Sequence, residues 1–149
     1  MEKKTISGQT LAVCLEQKFI LLTRISDITK QIEVQSRQDT MQLGDLPVKR
    51  QVYIDRLKKC GRMIAASCRA LPERERERRE KILSGDFPKE DCTPEETVLL
   101  KYAVQCRDVL QKTLKMDRDA RGRIQKECDR LQQLLHAARN TKKRKSPRF

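Results

Sequence analysis

The chain has 149 residues, a length that suits one domain, and its charged and hydrophobic fractions are equal at 37%. Five aromatic residues, no Trp, one His and five each of Gly and Pro exclude a thick aromatic core and argue against a many-stranded sheet. The net charge of +13 would draw an acidic partner, nucleic acid or an anionic surface without choosing among them.

That charge is uneven. Residues 1–46 are neutral overall, 47–71 carry +6, 72–96 carry −3 and 97–149 carry +10. The first periodic segment runs over about 9–42, where Leu11, Leu15, Leu22, Ile25 and Ile32 recur at steps of three, four and seven. Phe19, Leu21 and Ile28 widen this stripe, and Glu16, Lys18, Arg24, Asp27, Lys30 and Glu33 are expected to face solvent. Val34 and Met41 fall off the seam.

A turn is expected at Gly44-Asp45-Leu46-Pro47, with Gly44 left-handed, Asp45 as cap and Pro47 in the first turn of the next helix. The second helix, 46–71, carries Tyr53, Leu57, Cys60, Ile64, Cys68 and Leu71 along a near-heptad seam, and Pro72 ends it. Residues 73–81 hold no apolar side chain, and Ser84-Gly85-Asp86-Phe87-Pro88 breaks regular structure. The stretch 72–93 therefore reads as a connector with a helical turn or two.

Thr93 as cap, Pro94 at the first position and Glu95 and Glu96 at the positive end of the dipole open a third helix, 94–140. Its seam runs Leu99, Tyr102, Cys106, Val109, Thr113, Met116, Ala120, Ile124, Leu131, Leu134, Leu135 and Ala138, interrupted near Glu127-Cys128. At 1.5 Å per residue it would reach about 70 Å, more than the second helix can cover. The first helix or a partner must pack on it as well. Residues 141–149 are basic, with Lys142, Lys143, Arg144, Lys145 and Arg148, and are expected to form a flexible tail. The expected fold is all-α: an antiparallel helical bundle or coiled-coil hairpin of three main helices with a long C-terminal helix, in one domain over 8–140.

No catalytic or phosphate-binding motif is present, so the reading is of a protein that is not an enzyme and uses no cofactor. The six cysteines are Cys14, Cys60, Cys68, Cys92, Cys106 and Cys128, with no CxxC pair and one His136, a pattern that fits packed free thiols rather than zinc. No apolar run reaches a membrane span and no signal peptide is legible, so a cytoplasmic place is expected. Tyr53 and Tyr102 sit on seams, where a tyrosine either packs in the bundle or anchors a partner helix.

The layout resembles that of the flagellar type III export chaperones, the FliT and FlgN classes. The resemblance rests on an amphipathic first helix, Lys49-Arg50-Gln51 at the start of the second and a charged loop. A long last helix then carries the run Leu110 to Asp119 and ends in Leu131-Gln-Gln-Leu-Leu. Met116-Asp117-Arg118 corresponds to the junction before the final amphipathic run. The basic charge, the cysteines and the Arg/Glu segment at 73–81 depart from that layout.

The resemblance implies a chaperone that binds the amphipathic C-terminal segment of a late flagellar substrate, a filament-cap or hook-associated protein. It would keep that substrate soluble and deliver it to the export apparatus. The partner-binding residues would be Arg130, Leu131, Leu134 and Leu135, with Tyr102 as a seam anchor. Two other readings of the same residues are a basic coiled coil that binds nucleic acid and a homodimerising structural adaptor.

Overall fold

The computed structural model describes residues 8–144. Four helices follow in order: α1 (Gly8–Ser36), α2 (Leu46–Arg69), α3 (Glu73–Ser84) and α4 (Pro94–Arg144), with a short 3-10 turn at Lys89–Asp91 and no strand among the described residues. The all-α bundle with a long C-terminal helix is therefore present. It holds one helix more than the three expected.

α1 stops at Ser36, short of the expected residue 42. Past Val34, which is exposed, the chain offers Ser, Arg, Gln, Asp and Thr, so another helical turn would bury nothing. The Ser36 hydroxyl donates to the Glu33 carbonyl instead. Gly44 takes the left-handed conformation (φ 55°) that the turn demands. Asp45 precedes α2 as expected but makes no side-chain capping bond; its carboxylate lies 3.4 Å from Lys49.

α3 replaces most of the expected connector. Pro72 precedes its first turn and Gly85 ends it with φ 86°. Residues 73–81 alone would not hold such a helix, but Ile82, fully buried, anchors its last turn. α4 begins on a capping box. The Glu96 amide donates to the Thr93 hydroxyl (3.2 Å), and the Thr93 amide donates to the Glu96 carboxylate (3.0 Å). At its far end the helix continues through Thr141–Arg144, where a tail was expected; the Thr141 hydroxyl donates to the Ala137 carbonyl. Lys and Arg are good helix formers and suit the negative end of the dipole. Residues 145–149 of that expected tail lie outside the described residues.

α1 is the spine, and α2 and α4 pack on it rather than on each other. The cross-links fix the directions. Cys106 Sγ donates to the Leu15 carbonyl (3.9 Å) and Arg123 to the Glu33 carboxylate (3.2 Å), a constant offset that makes α1 and α4 parallel. Cys60 Sγ donates to the Cys14 carbonyl (3.3 Å) and Arg24 to the Tyr53 hydroxyl (3.3 Å), so α1 and α2 are antiparallel.

One core cluster joins Leu11 and Leu15 of α1, Ile64 of α2, Ile82 of α3, and Leu99 and Leu100 of α4. Ile28, Ile32 and Ala120 form a second, closed by Leu43, Leu46, Tyr53 and Ile124. Glu33, expected in solvent, is instead buried against α4 and is neutralised by Arg123 and Arg37. Lys18 likewise is half-buried.

Candidate functional site

α1 ends at Ser36, level with residue 126 of α4 by the offset of 90 that links Glu33 to Arg123. Beyond that level none of the other described helices packs on α4, and every residue from Cys128 to Lys142 is exposed. The stripe that α1 covers at Thr113, Ala120 and Ile124 resumes in this overhang after its break near Glu127-Cys128. There Leu131, Leu134 and Leu135 are 47%, 54% and 59% exposed. The free stretch to Arg144 is about 25 Å long, some four to five turns. Three leucines on one side of an uncovered helix form an apolar strip that a second amphipathic helix could bury.

Arg130 lies on the same overhang, bonded to Glu127 through two nitrogens (3.0 and 2.6 Å). The guanidinium holds the Glu127 carboxyl below its ordinary range. Tyr102 is not part of this surface. It is half-buried against the first core cluster, about 44 Å along the helix from Leu131. The structure thus brings together Arg130, Leu131, Leu134 and Leu135 and separates Tyr102 from them.

A second apolar feature lies between α2 and α4. Because both pack on α1 and hardly on each other, they leave a groove of about 260 Å³ with Leu22 and Ile25 of α1 at its floor. Ile54 and Leu57 form one wall, Leu110 and Leu114 the other. Arg50 of α2 bridges to Asp117 of α4 (2.7 Å) within the groove lining, and Arg121 holds the second oxygen of that carboxylate (2.8 Å). The sequence signal for this groove is a row beside the main seam: Leu110, Leu114, Asp117 and Arg121 recur at steps of four and three.

At the opposite end, Arg78 of α3 ties the connector down. It donates twice to the Glu96 carboxylate (both 2.7 Å) and once to the Asp91 carbonyl, and its guanidinium stacks 4.7 Å from the Phe87 ring centre. The Arg78 hydrogen bonds, aided by the Thr93 amide, pull the Glu96 carboxyl from 4.5 down to about 2. Its folded value lies below the unfolded one, so the stabilisation is complete above about pH 4.5 and is lost as the pH falls toward 2. Glu96→Gln is expected to lower stability at pH 7 and to lose its disadvantage against wild type toward pH 2. Urea unfolding of both proteins between pH 2 and 7 measures this; a difference that stays constant with pH would refute it.

All six cysteines are free: Cys68 and Cys106 are buried and Cys128 is exposed on the overhang. Burial pushes the Cys60, Cys68 and Cys106 thiols up, so they stay protonated and weakly nucleophilic. Among the described residues no group of three or more His, Cys, Asp or Glu is placed to hold a metal ion, and no helix is long and apolar enough to cross a membrane. Compared with protein-family models, with curated proteins and with solved structures, the chain matches none.

Proposed function

We propose that this chain is a non-enzymatic, cytoplasmic helical chaperone of the flagellar type III export class. In this reading it holds the amphipathic C-terminal segment of a late export substrate, a filament-cap or hook-associated protein. The observation that carries the reading is the uncovered leucine strip at the end of α4. A helix that extends about 25 Å past its own bundle with its apolar side bare has a face suited to another helix.

The flagellar assignment is supported by the resemblance in layout. Two of the stretches that carry it, Lys49-Arg50-Gln51 and Met116-Asp117-Arg118, lie 67 residues apart and meet in the Arg50–Asp117 ion pair. They help set the second helix against the last.

The test is binding of fluorescein-labelled C-terminal segments of filament-cap and hook-associated proteins, followed by anisotropy. Binding at micromolar concentration is expected. Leu131→Glu, Leu134→Glu and Leu135→Glu combined should weaken it by about tenfold or more. Because these leucines are exposed in the free protein, the triple variant should melt with the wild type. Absence of binding to all such segments would end the chaperone reading.

A further inference from the structure

The bundle has four helix positions in cross-section at one end and three at the other. α3 packs against both α2 and α4, and its Ile82 enters the cluster formed by Leu11 and Leu15 on α1. It therefore lies diagonally across from α1, in the slot between α2 and α4. Its C-terminal end reaches the level of Lys18, which shares a cleft with Leu83 and Ser84, and Arg107 donates to the Ser84 carbonyl (3.4 Å).

Past that level the same slot is open, and its open part is the groove over Leu22 and Ile25. Leu22, Ile25 and Thr29 continue the side of α1 that Leu11 and Leu15 turn toward α3, at steps of three, four and seven. The open length, Leu110 to Arg121 on α4, is about 16 Å, or three helical turns.

We propose that the open slot is a docking site for an acidic amphipathic helix of a partner protein, lying end to end with α3. The helical form follows from continuity: the first part of this slot is already filled by a helix that sinks an isoleucine into it. Apolar character follows from the floor and walls. Leu110 and Leu114 on the rim are 41% and 52% exposed and would be covered.

Acidity follows from the banks. The charged side chains that line the groove are Arg50 and Arg121 against the single Asp117 they share, and α2 as a whole carries seven basic residues and one acidic one. The chain's own bare helix, the α4 overhang, does not suit the slot in a second copy. It brings Arg130, Arg139 and Lys142 against a single Asp129 and would set like charges side by side. The site is separate from the overhang and does not depend on what the overhang binds.

A library of random helical peptides, displayed and selected on the immobilised full-length protein, tests the proposal. The library is depleted in parallel on a Leu110→Glu/Leu114→Glu variant, whose fold is verified by circular dichroism and whose substitutions lie at exposed positions. The enriched peptides are expected to be net acidic with apolar residues at i, i+3 or i+4, and i+7.

A labelled representative should bind wild type more weakly as salt rises and should bind the groove variant about tenfold or more weakly. It should be unaffected by Leu134→Glu/Leu135→Glu on the overhang. Four results would overturn the proposal: no peptide enriched over the variant, enriched peptides that are neutral or basic, binding lost in the overhang variant instead, or a wild-type dimer in sedimentation that the groove variant dissociates.

Discussion

Ile82→Ala is expected to destabilise the protein by about 2–5 kcal/mol, the range for truncating a buried aliphatic side chain, and to lower the melting temperature by roughly 5–15 °C. Ile82 has no exposed surface and is the buried α3 member of the core cluster, with half-buried Leu83 packed against its edge. Residues 73–81 of α3 are Glu, Arg and Lys with largely exposed side chains, and such surface charges contribute little.

Removing the isoleucine therefore leaves α3 held to α4 by the Arg78–Glu96 pair, the Arg107–Ser84 hydrogen bond and the edge contact of Leu83. Thermal unfolding gives the total loss. Amide exchange gives its distribution: protection in α3 should fall further than in α1 or the first half of α4. Equal loss of protection across all four helices would show that α3 is not held by that single side chain.

Breaking the Arg50–Asp117 pair is the second large effect. The two side chains are 20% and 18% exposed and meet at 2.7 Å. Their value should fall between the roughly 0–1 kcal/mol of surface pairs and the roughly 3–5 kcal/mol lost when one partner of a buried pair is removed. Arg50→Met is expected to cost about 1–3 kcal/mol, since it leaves Asp117 with Arg121 alone.

Arg50→Met combined with Asp117→Leu should recover part of that loss, because an apolar pair fits beside Ile54 and Leu114 without a stranded charge. Urea denaturation of the two single variants and the double variant closes the cycle. Additive losses would mean that the pair carries no coupling. The same measurement bears on the groove, since Arg50 and Asp117 tie its two walls together.

Most of the helices were legible in the sequence, and for local reasons. Leu11, Leu15, Leu22, Ile25 and Ile32 could only be buried together on a helix, and Gly44, Pro72 and Thr93-Pro94 mark ends that the backbone imposes without help from distant residues. The bare strip at Leu131, Leu134 and Leu135 was legible too, because its periodicity outruns the reach of the shorter helices.

α3 was not legible. Its stability comes from Ile82 meeting Leu11, Leu15, Ile64, Leu99 and Leu100, residues up to about seventy positions away. Within residues 73–81 nothing apolar announces a helix. Glu33 and Lys18 were misplaced for the same reason. Periodicity assigns a charged residue to solvent, and only the approach of Arg123 from α4 neutralises Glu33 well enough to bury it.

By itself, then, the sequence determined an all-helical chain, where its long helices begin and break, its basic charge and the bare leucines of the last one. These follow from backbone chemistry and from side-chain spacing along a single helix. The tertiary structure alone decided that α1 is the spine, that α4 runs parallel to it and that α3 fills a fourth position at one end. It also decided that Tyr102 packs inward while Leu131, Leu134 and Leu135 stay bare. Those outcomes depend on how side chains far apart in the chain meet, and spacing along one helix carries no information about which neighbour will cover it.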